Sequence, residues 1–189
     1  MALRLSPRSK GASINTSINS LVINQIHLPA GFLFRLAQPD DSQFLLTLFR
    51  STREHLLLLP LPKLQLELLI SQQFLLQQSH YATHYPLSSN FIIQFNLKSV
   101  GKITLDESSD SLRIIDLAIN PEERNKGYGK SIIRALQSYV LCKKVTLILS
   151  VDLQNALAKK LYLELGFYIN DISETHEQMV WNGKDKITE

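Results

Sequence analysis

The chain has one cysteine in 189 residues, Cys142, which excludes an internal disulfide and a cysteine-based zinc cluster. The default compartment that follows is the reducing cytosol, so a cytoplasmic location is expected. No apolar run approaches the roughly 20 residues of a membrane-spanning helix; the leucine run Leu56 to Leu59 stops at Pro60. No membrane partner is therefore expected. Surplus charge is also scarce. A net charge of +3 suits an anionic small ligand and is too weak to argue for nucleic acid. Acid is missing from one stretch altogether, the first acidic residue being Asp40.

The acid-poor leader, residues 1–30, is rich in Ser and Asn and carries Arg4, Arg8 and Lys10. Such leaders can be organelle transit peptides. No clear amphipathic helix is visible in this one, which favours a loosely ordered extension with a short extra strand open over Ser17 to Ile26. Residues 31–182 read as one domain and 183–189 as a tail. At 44% hydrophobic and 20% charged residues, the composition supports an ordinary globular core.

Phe32 to Leu36 reads as a first strand. Asp40 then has the position of an N-cap with Gln43 as its capping-box partner, opening a helix to about Arg53. Leu59-Pro60-Leu61-Pro62 breaks the chain before a second, leucine-rich helix from Lys63 to about Ser79, a surface that a homodimer could use. His80, Tyr81, His84 and Tyr85 follow. Two histidines four apart could hold a metal on a helix, but no third ligand stands near them, so no metal is expected. They read instead as a frayed helix end and part of a cleft wall.

From Asn90 the pattern turns to strands: Phe91 to Phe95, Val100 to Leu105 and Ser111 to Ile119, close enough in sequence for an antiparallel meander. A glycine loop and a helix from Gly127 to Leu141 come next. The strand Val145 to Val151 must cross over past that helix, so it pairs parallel to the strand before it. A helix from Leu153 to Leu165 ends at Gly166, and Phe167–Ile172 with Gln178–Trp181 form a closing hairpin. The fold class is therefore α/β (α+β), with a mixed, mainly antiparallel central sheet flanked by helices.

The chemistry concentrates in Asp116 to Lys130, a strand, a turn stiffened by Pro121, a basic glycine loop and the first turn of a helix. Such a junction presents unpaired N–H groups and the positive end of a helix dipole, an anion site. Gly129-Lys130-Ser131 fails as a Walker A loop because Arg124 stands where a glycine is needed. A dinucleotide fingerprint fails because Ile132 replaces the third glycine. What remains is Arg124-x-x-Gly127-x-Gly129. Its glycines allow close approach of a pyrophosphate, and Arg124, Lys126 and Lys130 add charge.

With these blocks goes Asn155-Ala156-Leu157-Ala158, and then Leu161-Tyr162-Leu163-Glu164-Leu165-Gly166-Phe167. In this order and spacing they resemble the GCN5-related N-acetyltransferase (GNAT) superfamily. The resemblance implies acetyl-CoA as co-substrate and a parallel strand pair, Ser111–Ile119 and Val145–Val151, that splays apart. It implies a pantetheine arm bonded to main-chain groups of Leu117, Ala118 and Ile119, with the pyrophosphate on the amides from Asn125 through Lys130, Gly127, Tyr128 and Gly129 included. Either Lys126 or Lys130 would be the lysine that matters most. Asn155 would meet polar groups of the pantetheine, and Tyr162 would be the general acid that protonates the departing thiolate. The base stays open among Asp116, Asp152 through water, and water alone. The acceptor would be a primary amine, on a small molecule or a peptide. A non-catalytic acyl-CoA-binding module and a binder of another phosphate ligand are the competing readings.

Overall fold

The computed structural model describes residues 25–183. Nearly all of the acid-poor leader, most of the strand considered over Ser17 to Ile26, and the end of the tail lie outside the described residues. Among the described residues seven strands form one sheet: β1 (Phe32–Leu36), β2 (Ser89–Phe95), β3 (Lys98–Glu107), β4 (Ser111–Ile119), β5 (Thr146–Asp152), β6 (Tyr168–Ile172) and β7 (His176–Trp181). Their order is β1-β2-β3-β4-β5-β7-β6. Every neighbouring pair is antiparallel except β4–β5, which is parallel. The helices are α1 (Ser42–Ser51), α2 (Lys63–His84), α3 (Tyr128–Lys143) and α4 (Ala156–Glu164).

The alternation of β3 divides the two faces of the sheet. Ile103 and Leu105 join Leu112, Ile114, Leu147 and Leu149 in the main core, onto which α3 lays Ile132, Ile133, Leu136 and Val140. That spacing of i, i+1, i+4 and i+8 gives one helical stripe. Lys102 and Thr104 fall between the core positions and are buried on the other face. There α1 and α2 make their own small core through Phe49 and Ile70, with Phe74 against it.

Some boundaries differ from the sequence reading. Helix α2 does not fray at Ser79 but runs through His84. It stops because Tyr85 precedes Pro86, whose ring bars the helical conformation at the residue before it. Asp40 is not the cap of α1. It sits inside a 3-10 turn, Pro39–Asp41, from which α1 starts at Ser42. The carboxylate of Asp41 meanwhile accepts two bonds of 2.7 Å from Arg35 and one of 2.7 Å from the Gln38 amide. The β2–β3 turn is also tighter than expected. Only Asn96 and Leu97 lie between the strands, both with positive φ (48° and 67°), the conformation of a two-residue hairpin.

Candidate active site

Two features of β4 build the site. Opposite β3 the register slips between Thr104 and Leu105, which face Asp116 and Ile114 respectively, so Ile115 is an extra residue, a β-bulge. On its other side β4 pairs with β5 only from Ser111↔Thr146 to Ile114↔Leu149. The parallel ladder stops where the bulge begins, and the two strands part beyond it into a V. Residues 150–152 of β5 keep their antiparallel partners on β7, so the V opens on the β4 side alone.

The cleft in the V has a volume of about 480 Å³ and is lined by Leu117, Ala118, Ile119, Arg124, Asn155 and Leu157, with Ser51 and Thr52 at the end of α1. The Asn120 amide donates to Val100 O at 2.9 Å, so Asn120 bonds toward β3. Alternation of the antiparallel ladder then turns Ala118 toward β3 and the main-chain groups of Leu117 and Ile119 into the cleft. Of the three residues expected to offer main-chain bonds, two are thus oriented to do so, and Ala118 contributes its side chain to the wall. The Ile119 carbonyl already accepts from Arg124 Nε at 3.1 Å.

A second hollow of about 350 Å³ shares Ile119 and Arg124 with the first and runs to Asn125, Gly127, Tyr128, Gly129, Lys130 and Leu161. Here the glycine loop meets α3. The Ser131 amide donates to Gly127 O at 3.0 Å and the Arg124 amide to Pro121 O at 3.2 Å. Among the described residues, the six amides from Asn125 through Lys130 have no hydrogen-bond acceptor. Gly127 has φ 78°, a conformation that favours glycine. A Cβ built on Gly127 or Gly129 would stand in open space, with no atom beyond its chain neighbours and its own helix backbone within 4 Å.

Neighbouring groups hold the loop. Tyr128 packs its ring against Phe32 and Phe95, at centroid distances of 5.2 and 4.9 Å. Lys126 Nζ bonds Glu123 Oε2 at 2.8 Å, and Lys98 Nζ bonds the other oxygen at 2.6 Å. The two ammonium groups, Lys126 first, hold the Glu123 carboxyl below its usual range. Arg124 reaches across to the Ser51 carbonyl at 3.3 Å. The ammonium group of Lys130, by contrast, makes no hydrogen bond or ion pair among the described residues. The sequence left Lys126 and Lys130 equal; the structure separates them.

Asn155 caps α4, its Oδ1 accepting from the Ala158 amide at 3.1 Å, which leaves its amide nitrogen to the cleft. At the other end, the Phe167 amide donates to Tyr162 O and the Gly166 amide to Leu163 O, both at 3.0 Å, with Gly166 at φ 83°. This is a Schellman closure. The Leu165 carbonyl also accepts from Gln137 Nε2 of α3 at 2.7 Å. Tyr162 lies among the partly buried side chains packed on the core and is not itself a cleft-lining residue. Its hydroxyl has no hydrogen-bond partner among the described residues. Burial, and then the charge of Asp116, push its pKa up to about 12.

The ion-pair partner of Asp116 lies on β3, not on its own strand. Asp116 Oδ2 lies 2.6 Å from Nζ of Lys102, a side chain only 2% exposed. The bulge makes this possible: Lys102 faces Ala118, and Asp116 is its diagonal neighbour on the same side. Sequence reasoning missed Lys102. Its one signal was a lysine at an inward position of the strand Val-Gly-Lys-Ile-Thr. Asp152, the other carboxylate considered, accepts from the Gln154 amide at 2.8 Å and so shapes the turn before α4.

At the apex of the V is a third hollow, of about 260 Å³, lined by His80, Tyr81, Tyr85, Arg113, Ile115, Ser150 and His176, with Ile114 at its floor. Of the segment expected in a cleft wall, His80, Tyr81 and Tyr85 line this hollow. Burial and then Asp116 raise the Tyr81 hydroxyl above the usual tyrosine range. His80 and His84 stack at 4.0 Å between centroids, and among the described residues no group of three His, Cys, Asp or Glu is placed to hold a metal.

A mixed sheet whose one parallel pair opens beside an unpaired glycine-loop cradle defines the class of acyl-CoA N-acyltransferase folds. The chain belongs to the Acetyltransferase (GNAT) family, whose model matches residues 58–167, more than half of its length. Solved structures agree on the fold. The PaiA N-acetyltransferase of Thermoplasma acidophilum, solved with coenzyme A, is 18% identical at a TM-score of 0.59, over 80% of this chain and 98% of that one. A GNAT family acetyltransferase of Elizabethkingia anophelis, with acetyl-CoA bound, is 14% identical at 0.54, over 82% and 99%. The spermidine N-acetyltransferase of Vibrio cholerae, solved with CoA and spermine, is 17% identical at 0.54, over 81% and 96%. No curated protein matches the chain by sequence. No helix among the described residues is long and apolar enough to cross a membrane.

Proposed function

We propose that this protein is an N-acetyltransferase that moves an acetyl group from acetyl-CoA to a primary amine by direct attack, without a covalent enzyme intermediate. The observation that carries the reading is the early end of the β4–β5 ladder at Ile114↔Leu149, together with six amides that have no acceptor among the described residues. Acetyl-CoA supplies the acyl group as an activated thioester. Its diphosphate suits the amides of Asn125 to Lys130, with Lys130 as the uncommitted cation, and its pantetheine arm suits the opened edge of β4 at Leu117 and Ile119.

Tyr162 is the general acid. A hydroxyl with a pKa near 12 holds its proton at neutral pH and can give it to a thiolate as the carbon–sulfur bond breaks. Asp116 is the carboxylate near both tyrosines at this corner, Tyr81 and Tyr162. Lys102 takes Oδ2, and Oδ1 is left to accept the amine proton, directly or through water. A main-chain N–H on the opened edge of β4 would polarise the thioester carbonyl.

Thiol release with a panel of amines, in the wild type and in Tyr162→Phe, tests the reaction. Turnover that collapses in the variant while acetyl-CoA binding stays supports it. Absence of turnover with every amine, together with intact CoA binding, would make the protein a non-catalytic acyl-CoA binder. In thermal denaturation CoA should stabilise the protein and ATP should not. Equal stabilisation by both would point to a general phosphate site.

A further inference from the structure

The apex hollow has a charge pattern of its own. Among the described residues its wall holds one permanent cation, Arg113, with two histidines, two tyrosines and one serine, and no carboxylate. Of the acids nearest in the fold, Asp116 and Asp152 each have a partner that is not Arg113, and the free Asp116 Oδ1 is the oxygen assigned to the amine. Asp116 is held by Lys102, and Asp152, opposite His176 in the β5–β7 ladder, binds the Gln154 amide. Asp106 lies directly across the β3–β4 ladder from Arg113, yet no ion pair forms between them.

The contrast with Arg35 shows what this chain does when an arginine is structural. There both guanidinium nitrogens bond one carboxylate at 2.7 Å, and the Asp41 carboxyl falls to about 2. Asp106 moves the other way, its carboxyl raised first by burial and only partly drawn back by Arg113. Arg113 thus keeps its planar fork of donors uncommitted at the wall of a hollow. Such a fork matches a carboxylate or a phosphate. The hollow adjoins the bulge at Ile115, where the V closes, so a molecule seated in it lies beside the place where the acyl end of an extended CoA arm must stop. Its volume of about 260 Å³ is below the roughly 300–1,000 Å³ of drug-sized sites, which suits a small acceptor.

Resting on the acetyl-transfer reading, we infer that the acceptor is a small amine that also carries an anionic group, a carboxylate or a phosphate, which Arg113 binds while the amino group faces the V. A polycationic amine, the class named for the Vibrio cholerae neighbour, would meet a like charge and no carboxylate in this wall.

Matched acceptors test this: butylamine against 4-aminobutyrate for the carboxylate, ethanolamine against O-phosphoethanolamine for the phosphate, and spermidine as the polycation. The wild type should turn over one anionic member with a kcat/KM at least tenfold above its neutral partner, and spermidine least well. Which pair shows the preference decides between carboxylate and phosphate. Arg113→Met should remove at least tenfold of that preference, with Arg113→Lys recovering part of it and KM for acetyl-CoA unmoved. A second readout needs no turnover: acetate and inorganic phosphate titrated into the CoA-saturated protein, followed by the amide resonances of Ile114, Ile115 and Ser150. One of them should give saturable shifts that Arg113→Met abolishes.

Turnover without an anionic preference, or with spermidine favoured, leaves acetyl transfer standing and overturns the inference. Saturable, Arg113-dependent anion binding without turnover of any amine keeps the anion subsite and removes the enzymatic reading. The absence of both, or anion binding that survives Arg113→Met, overturns the inference.

Discussion

Phe167 fixes Tyr162 twice over: its amide donates to the tyrosine carbonyl at 3.0 Å, and its ring lies 5.7 Å from the tyrosine ring. The segment Leu-Tyr-x-x-Leu-Gly-Phe is thus a helix stop that orients its own tyrosine. Tyr162→Phe keeps the ring contact and the closure and removes only the hydroxyl. The expected outcome is a fall in kcat of about 10²–10⁴-fold, the usual range for a lost general acid. KM for acetyl-CoA and the midpoint of thermal unfolding should stay close to wild type. A fall in stability matching the loss of rate would assign the hydroxyl to packing instead.

The two loop lysines should behave differently. Lys126 is already tied to Glu123, and Lys130 makes no ion pair among the described residues. Lys130→Ala is expected to weaken CoA binding by about tenfold, near 1.4 kcal/mol. The loss should shrink at high salt. Lys126→Ala should change CoA affinity much less and lower stability, because it takes one of two ammonium partners from the Glu123 carboxylate. Calorimetric titration of both variants checks this.

Lys102 and Asp116 form a buried pair across β3 and β4. Removing one partner of a buried pair costs about 3–5 kcal/mol. Asp116 keeps 22% of its side chain exposed, so the lower end is expected for Lys102→Met. The double variant Lys102→Met with Asp116→Asn should recover part of that loss, because the unpaired charge is gone. Urea unfolding of the wild type and both variants measures it.

Acid should loosen the entry to α1. The Asp41 carboxyl is held near 2 by Arg35, against an ordinary 3.8. Since the folded value is the lower one, the unfolded chain takes up the proton first as pH falls. The stabilisation is full above about pH 5 and lost as pH drops through about 4 toward 2. Arg35 is one-third exposed, so screening limits the effect to on the order of 1 kcal/mol. Arg35→Met should flatten this part of the pH–stability curve.

Much of this was legible in the sequence, and the exceptions share a cause. The seven strands, the two helices of the second half and the Gly166 stop follow from periodicity and turn chemistry, which are local. The parallel β4–β5 pair follows from the crossover past α3. What escaped depends on register. A single extra residue at Ile115 sets Asp116 diagonally opposite Lys102, and no pattern in either strand announces it. The separation of Lys126 from Lys130 rests on Glu123, which the β2–β3 turn brings within reach of Lys98. The end of α2 was misplaced because its last turn is rich in His and Tyr; Pro86 was the true signal.

Amide hydrogen exchange read residue by residue, with and without acetyl-CoA, tests the central claim most directly. Acetyl-CoA should slow exchange at least tenfold at amides between Asn125 and Lys130 and at Leu117 or Ile119, with ATP failing to protect the β4 positions. Saturating acetyl-CoA that leaves those amides exchanging as in the free protein would contradict the account.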